Sequence, residues 1–290
     1  MTPADEGVWG VRDLSVRYGH RLALEGVSLR VPPREVTAVV GGDGSGKSTL
    51  LRALAGAVRP ASGSVDRPPA RRIGYVSATS GVYIDLTVDE NIVFVARAYG
   101  LHDGLQARVA GLLERAGLSA ARGRLAGKLS GGMRQKLAFV LAVLAEPQLL
   151  ILDEPTTGVD PVSRSEIWRL IADAAARGAA IALATTYLDE AERATQVLVL
   201  DRGRALLAGP PDEVAAAVPG ALFDLPPAQV TAALAPLSWR NGSVRRVWVP
   251  SGVQPPGGLP VQPRLADAVI VACLHAEVSA SASESAGAAA

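Results

Sequence analysis

The sequence predicts an α/β fold with a mixed sheet core, an antiparallel edge, a helical subdomain and a small C-terminal α+β extension. Three observations support this prediction. Over residues 35–55, an apolar strand leads into a glycine-rich loop and then a helix. A second apolar strand, Leu149–Leu152, ends in two carboxylates. Near the C-terminus, Asn241-Gly242 lies between β-rich segments, which is typical of a hairpin.

The glycine-rich loop has the spacing G-x-x-x-x-G-K-S, which predicts phosphate binding. The strand is expected over Glu35–Val40 and the helix over Thr49–Ala55. Glycines let backbone N–H groups surround phosphate oxygens, and the start of the helix adds partial positive charge. We expect Lys47 to contact the β- and γ-phosphates and Ser48 to ligate Mg²⁺. The candidate binding residues of the loop are Gly41, Gly42, Asp43, Gly44, Ser45, Gly46, Lys47, Ser48 and Thr49.

The second strand carries the candidate catalytic carboxylates. Four apolar residues, Leu149–Leu152, predict a strand buried in a parallel sheet. Asp153 follows them and is expected to hold Mg²⁺ through water. Glu154 is expected to polarise the attacking water as general base. Adjacent residues on a strand point to opposite faces, but this strand ends here, so we expect both carboxylates to face the nucleotide.

A second motif, Leu-Ser-Gly-Gly-Met-Arg-Gln-Lys over residues 129–136, precedes that strand. With the glycine-rich loop, it makes the chain resemble the nucleotide-binding subunit of an ATP-binding cassette (ABC) transporter, from about Val8 to about Leu274. The resemblance implies that ATP is sandwiched between two cassettes. In that arrangement the γ-phosphate held by one cassette is capped from the other by Ser130, Gly131 and Gly132.

Two further segments fit the same resemblance. Tyr18 matches the aromatic residue that stacks on adenine in this family, although an ordinary tyrosine at a strand end is the alternative. Residues 157–161 match the D-loop, which crosses the interface between cassettes and communicates between the two ATP sites. The resemblance therefore places nucleotide contacts on both sides of a dimer.

Two positions depart from the family pattern. Ala78 stands where the family has a glutamine that contacts Mg²⁺ or its water. Thr186 stands where the family has a switch histidine. Threonine can donate one hydrogen bond to a phosphate oxygen but cannot carry the imidazolium charge, so Thr186 is a candidate catalytic residue of reduced power. We therefore predict an ATPase with weakened chemistry, or one that depends on a better-equipped partner cassette.

Composition fits a cytoplasmic protein that lies peripherally on the inner face of the cell membrane. A formal net charge of +1 gives no general electrostatic case for nucleic acid as a partner. Uninterrupted apolar stretches stay below the ~18 residues that a membrane span needs, and Met1–Glu6 lacks the features of a signal peptide. The single cysteine, Cys273, permits no internal disulfide.

The expected organisation is an ABC ATPase domain over residues 8–218, a small C-terminal domain over 219–275 and a disordered tail over 276–290. Within the first, a helical subdomain is expected over about 84–145, where Thr87 and Glu90 form a capping box. Five prolines predict a loop over Pro250–Pro263.

The subfamily is indicated by three segments that resemble exporter ATPases of the ABC-2 type, close to the daunorubicin-resistance branch: 98–101, 185–192 and 263–271. In the last, Ala266 and Val269 replace the Glu and Phe of that pattern. The resemblance implies a subunit that binds and hydrolyses ATP with Mg²⁺. It would power a separate integral-membrane permease, as an exporter, by ATP-driven pairing with a second cassette of the same or a different chain.

Two alternatives remain open. One is a catalytically weakened, regulatory ATP-binding cassette, which the residues at 78 and 186 favour and Glu154 opposes. The other is a non-transport ABC ATPase acting on ribosomes or DNA. Such proteins usually carry two cassettes in one chain or a long coiled-coil insertion, and this sequence shows neither.

Overall fold

The computed structural model describes residues 7–253 and 257–288, and the chain divides into two units between Ala205 and Leu206. The strands of the first unit are β1 (Trp9–Tyr18), β2 (Arg21–Val31), β3 (Val36–Val40), β4 (Ser62–Asp66), β5 (Ile73–Val76), β6 (Leu149–Asp153), β7 (Ala180–Thr185) and β8 (Gln196–Asp201), and β9 (Arg204–Gly209) contains the division. Its helices are α1 (Lys47–Ala55), α2 (Val88–Tyr99), α3 (Leu105–Arg115), α4 (Gly131–Val143), α5 (Pro161–Ala176) and α6 (Leu188–Ala191).

The central sheet is mostly parallel and has the order β5–β6–β7–β3–β8–β9. The four pairs from β5 to β8 are parallel, and every residue of β3, β6 and β7 is buried. The predicted parallel strand before the two carboxylates is therefore confirmed. Because parallel strands run the same way, their carboxyl ends lie along one edge. Asp153 is aligned there with Ala184, and Val40 with Thr185.

The antiparallel edge expected from the first strands is a separate three-stranded sheet of order β2–β1–β4. Helix α1 packs against strands of both sheets. The core between them includes Leu14 and Val27 from the antiparallel sheet, Leu50 and Leu54 from α1, and Ile151 from β6, all fully buried. The removal of these side chains from water is the main source of stability for the packing of α1 between the two sheets. The loop that precedes α1 is therefore held by contacts from both sheets.

The helical subdomain contains α2, α3 and α4, as predicted. The capping box that begins α2 is confirmed, because the Thr87 side chain accepts from the Glu90 N–H and the Glu90 carboxylate accepts from the Thr87 N–H. Fully buried Asn91 fixes the preceding loop. It accepts from the N–H of Tyr83 and donates to the carbonyls of Tyr83 and Leu86.

The second unit is the expected α+β extension. It contains α7 (Pro211–Ala216), β10 (Ala221–Leu225), β11 (Ser238–Asn241), β12 (Val244–Val249), β13 (Leu259–Val261) and α8 (Leu265–Ala288). The sheet has the order β11–β12–β10–β13, and the hairpin predicted at Asn241-Gly242 is confirmed by the pairing of β11 with β12. On one face of the sheet, Leu222 and Trp248 pack with Val271 of α8. The helix therefore shares a core with the sheet.

Three details differ from the sequence-based expectations. The division at Ala205/Leu206 falls inside β9, whereas the sequence placed the boundary at residue 218. The proline-rich segment 250–263 contains the short strand β13, which pairs with β10 at the sheet edge, where a proline is tolerated. Residues 276–288, expected to be disordered, continue α8, because this alanine-rich stretch lacks proline. Residues 1–6, 254–256 and 289–290 lie outside the described part of the chain.

Candidate nucleotide-binding site

The glycine-rich loop runs from the end of β3 to the start of α1 and is shaped by close backbone contacts. Gly46 has a φ of 110°, and a Cβ at this position would lie 2.7 Å from Leu24 Cδ2. A Cβ at Gly41 would lie 2.0 Å from the carbonyl oxygen of Leu200. At Gly42 a Cβ would meet no atom within 4 Å. Glycine is thus required at 41 and 46 by packing, whereas position 42 faces open space.

Lys47 begins α1, and its buried ammonium lies inside the loop. Its Nζ donates hydrogen bonds to the carbonyl oxygens of Gly41 (2.9 Å) and Gly42 (3.1 Å). The same atom lies 3.9 Å from Oε1 of Glu154. These contacts hold a compact positive charge at the helix N-terminus, where anions are favoured. The arrangement suits the predicted contact with phosphate.

Ser48 and Asp153 form the candidate metal site. The Ser48 hydroxyl donates a 2.9 Å hydrogen bond to Oδ1 of Asp153, which is 1% exposed. The Tyr75 hydroxyl lies 3.5 Å from Oδ2 of the same carboxylate. Burial, followed by the Asp153 charge, raises the pKa of the Tyr75 hydroxyl, which therefore keeps its proton and can donate it.

This donor set fits Mg²⁺. The described residues hold no group of three or more carboxylate, histidine and cysteine side chains that could bind a metal without other ligands. Mg²⁺ is usually held by one or two carboxylates together with waters and substrate phosphates. Asp153 and Ser48 supply one carboxylate and one hydroxyl beside the phosphate loop, so a phosphate-bearing substrate would complete the coordination.

Glu154 has a left-handed backbone with a φ of 52°, which is unusual for a residue other than glycine. Its N–H still donates to the carbonyl oxygen of Ala184 (2.9 Å), as in the sheet. Its carboxylate accepts a 3.1 Å hydrogen bond from the Thr157 hydroxyl. This backbone change ends the strand and breaks the alternation of side-chain direction. Glu154 therefore lies near Lys47 while Asp153 contacts Ser48.

A cavity of about 610 Å³ lies over the loop. It is lined by Tyr18, Arg21, Leu22, Ala23, Asp43, Gly44, Gly46, Lys47, Ser48, Thr49, Glu154 and Arg202. The sequence had identified most of these residues but missed four of them, Arg21, Leu22, Ala23 and Arg202. Arg21 could have been found from its place across the β1–β2 turn from Tyr18, with which it pairs. Arg202 lies in the turn after β8, which only the strand order brings to this edge.

The Ser-Gly-Gly motif begins α4 and does not line this cavity. Ser130 caps the helix, because its hydroxyl accepts from the N–H of Met133 (3.2 Å). Ser130 and Gly131 are exposed, whereas Gly132 is buried. A Cβ at Gly132 would lie 2.4 Å from the Ser163 hydroxyl, so glycine here lets α4 approach the start of α5. The exposed start of α4 leaves its first N–H groups available to a ligand from outside the chain.

The two departures from the family pattern are both at the sheet edge. Ala78 is exposed in the turn after β5. Thr186 is exposed directly after β7, the strand beside β6, but it is not among the residues that line the cavity. Its neighbour Thr185 is buried and donates to the carboxylate of Glu190. This buried contact could not be predicted from the sequence, because nothing in the spacing of single residues indicates it.

Comparisons with known proteins agree with this geometry. The family model of the ABC transporter matches residues 24–157. The probable multidrug ABC transporter ATP-binding protein YbhF of Escherichia coli (strain K12) is 41% identical over 199 residues, which are 65% of this chain and 34% of that protein. The chain thus spans about a third of the length of that relative. The Nod factor export ATP-binding protein I of Burkholderia pseudomallei (strain 1710b) is 35% identical over 241 residues, 78% of this chain and 79% of that protein.

Solved structures show the same similarity. The structure of an ATP-binding subunit of an ABC transporter has a TM-score of 0.67 and 32% identity, covering 72% of this chain and 92% of that one. The structure of cbiO1 from Clostridium perfringens, part of an ABC transporter complex, has a TM-score of 0.64 and 32% identity, covering 72% and 90%. The chain belongs to the ATP-binding proteins of the ABC transporter family.

Proposed function

We propose that this chain binds and hydrolyses ATP to power a separate membrane permease, as a subunit of an exporter. The main support for this proposal is that four side chains lie close together at the carboxyl edge of the parallel sheet: Lys47, Ser48, Asp153 and Glu154. Export is supported by the two relatives, one a probable multidrug ABC transporter ATP-binding protein and the other a Nod factor export ATP-binding protein.

Each residue has a defined task in this proposal. The loop N–H groups and Lys47 bind the phosphates, and Tyr18 stacks on the adenine. Ser48 and Asp153 would hold Mg²⁺, which when bound would neutralise charge on the phosphate oxygens. Glu154 orients a water and accepts its proton as that water attacks the γ-phosphorus, while the bond from this phosphorus to the β–γ bridging oxygen breaks and ADP leaves. Thr186 donates a hydrogen bond to the same phosphate.

A second cassette completes the site. Ser130 and Gly131 are exposed at the start of α4, outside the cavity over the loop. In the proposed dimer, the N–H groups of this helix start and the Ser130 hydroxyl contact the γ-phosphate held by the other cassette. ATP binding then brings two cassettes together, and hydrolysis releases them. The second cassette is either another copy of this chain or a different one.

The permease is proposed to dock on an apolar patch formed by Tyr83, Ile84, Val93, Phe94 and Leu125, each about half exposed. The rings of Tyr83 and Phe94 meet edge to face with centroids 4.7 Å apart. Asn91 holds the loop that carries Tyr83. Within the described residues, no helix combines the length and hydrophobicity needed to cross a bilayer. Association through this patch would place the chain on the membrane surface.

Steady-state ATP hydrolysis by the purified chain, beside Glu154→Gln, tests the proposal. We expect Mg²⁺-dependent turnover in the wild type and a loss of about 10²–10⁴-fold in the variant, which lacks the general base. Absence of turnover in the wild type, with ATP still bound, would instead support the regulatory cassette suggested by Ala78 and Thr186. Restoring both family residues, as Ala78→Gln/Thr186→His, is expected to raise the rate. A wild type that is equally fast would show that the chemistry is not weakened.

Association with a membrane protein tests the transport part. Phe94→Ser is expected to abolish copurification with a permease from native membranes, because it removes an apolar ring from the proposed docking patch. Leu259→Ser, which changes a residue that is 75% exposed in the second unit, is the matched control and should leave the association intact. Copurification with ribosomes or DNA in place of a permease would favour the non-transport alternative.

A further inference from the structure

A buried carboxylate connects the two loops that carry Glu154 and Thr186. Glu190, in α6, is fully buried. Its Oε1 accepts a 2.5 Å hydrogen bond from the Thr156 hydroxyl, and its Oε2 accepts a 2.7 Å hydrogen bond from the Thr185 hydroxyl. Both threonines are 1% exposed. A buried carboxylate is costly unless its oxygens are satisfied, so this cluster strongly favours one arrangement of the three side chains.

The two threonines lie beside the proposed catalytic groups. Thr156 is two residues after Glu154, and Thr185 directly precedes Thr186. The Thr185 hydroxyl also accepts a 3.0 Å hydrogen bond from the N–H of Tyr187. The residues on both sides of Thr186 are therefore connected through the Thr185 hydroxyl, which also donates a hydrogen bond to Glu190. Through Thr156, the same carboxylate holds the loop that follows Glu154.

Arg164 connects a third segment to the cluster. It lies in the first turn of α5, just after the D-loop, and its Nε is 3.8 Å from Oε1 of Glu190. Its guanidinium carbon lies 4.0 Å from the centre of the Tyr187 ring, a cation–π contact. Its Nη1 is 3.6 Å from Oδ2 of Asp189. The start of α5 is thus held against the segment that contains Thr186.

We propose that Glu190 is a positioning residue for ATP hydrolysis. It keeps the loop of Glu154 and the loop of Thr186 in a fixed relative position through the hydroxyls of Thr156 and Thr185. This inference rests on the proposed function. With alanine at 78 and threonine at 186, one family contact to Mg²⁺ or its water is missing and the contact to the phosphate carries no charge, so the placement of the remaining groups carries more weight. A displacement of about 1 Å can reduce a rate about 100-fold.

A purely structural role would give a different result from positioning. If the cluster only added stability, removing one hydroxyl would lower the free energy of unfolding but leave the turnover of the folded fraction unchanged. Valine and threonine have nearly the same volume, so Thr156→Val removes the hydroxyl with little change in packing. Thr156→Ser retains the hydroxyl and is the conservative variant.

Steady-state kinetics of these variants give the first test. We expect Thr156→Val to lower kcat by about 10- to 100-fold while KM and the affinity for a fluorescent ATP analogue stay near wild-type values. Thr156→Ser should retain most of the activity. The control is Glu192→Gln, which changes an exposed carboxylate two residues after Glu190. An unchanged kcat in folded Thr156→Val would overturn the inference.

Amide hydrogen exchange of the nucleotide-free chain gives a test that needs no hydrolysis. We expect Thr156→Val to speed exchange of the Tyr187 amide, which lies in the other loop, and Thr185→Val to speed exchange of the Val159 amide. Changes confined to the mutated loop would contradict coupling through Glu190. If these amides show coupling between the loops but the wild type does not hydrolyse ATP, the proposed hydrolysis is overturned, whereas the connection of the two loops through Glu190 is not. Glu190→Gln, which preserves the shape of the side chain, replaces Thr156→Val in this measurement if Thr156→Val does not fold.

Discussion

The Ser48 hydroxyl donates a 2.9 Å hydrogen bond to Asp153, although the two residues are 105 positions apart in the chain. Ser48 stands in the first turn of α1, and Asp153 ends β6. The contact exists because α1 packs against β6, so the phosphate loop and the acidic strand end meet at one place. Two motifs that are each recognisable in the sequence thereby form one candidate metal site.

The first prediction concerns the metal. Asp153→Asn removes the carboxylate charge while keeping the side-chain shape, so it should raise the Mg²⁺ concentration for half-maximal ATP hydrolysis by about 10- to 100-fold. Binding of ATP in the absence of Mg²⁺ should not weaken, because the loop N–H groups and Lys47 are unchanged. A titration of activity against Mg²⁺ measures the effect. An unaltered midpoint would remove Asp153 from the proposed site.

The second prediction concerns the loop. Gly46→Ala should destabilise the chain by about 1–3 kcal/mol and weaken ATP binding, because its φ is 110° and a Cβ would lie 2.7 Å from Leu24. Gly42→Ala is the matched control for stability, since its Cβ would meet no atom within 4 Å. Urea unfolding of both variants checks the difference. Equal stability would show that the loop relaxes around the added methyl group.

The third prediction concerns the second unit. Arg246 contacts both carboxylate oxygens of Asp224 and of Asp267, at 2.9–3.1 Å, and is 9% exposed. Arg246→Met leaves two poorly exposed carboxylates without a cation and should cost about 3–5 kcal/mol of unfolding free energy. Exposed Arg240→Met should have little effect. Chemical denaturation monitored by tryptophan fluorescence measures the unfolding free energy of both variants, because Trp239 and Trp248 lie in this unit.

The fourth prediction concerns pH. The pKa of Glu90 is lowered below its ordinary value of 4.5 by hydrogen bonds from Thr87, with the larger effect from the backbone N–H and the smaller from the side chain. Because the folded pKa is the lower one, the contribution of this carboxylate to stability is present above pH 4.5 and is lost as pH falls through the folded pKa. Wild type should therefore be more stable than Glu90→Gln at pH 7, and the difference should shrink in acid.

Thermal unfolding at a series of pH values measures this effect. Exposed Glu114→Gln, on α3, controls for the loss of one negative charge. A stability difference between wild type and Glu90→Gln that stays constant down to pH 3 would contradict the assigned role of the Thr87–Glu90 capping box.

Much of the candidate site could be predicted from local sequence. The glycines at 41 and 46, Lys47 and Ser48 follow from the geometry of one strand–loop–helix unit, and the acidic pair follows from one apolar run. The capping box at the start of α2 and the Asn241-Gly242 hairpin were also visible, since each depends on residues a few positions apart. The family resemblance added the proposed role of the exposed start of α4.

Other features depend on contacts between distant segments. The strand order brings Arg202 to the cavity. The left-handed φ of Glu154 is imposed where β6 ends beside β7, and no residue type signals it. The burial of Glu190 between Thr156 and Thr185 is equally invisible in sequence, where it is one acidic residue of an Asp-Glu-Ala-Glu segment. Local chemistry thus indicated which residues are candidates to act on ATP. Packing between strands and helices decided their relative positions, because backbone conformation and burial at each point depend on neighbours from the whole unit.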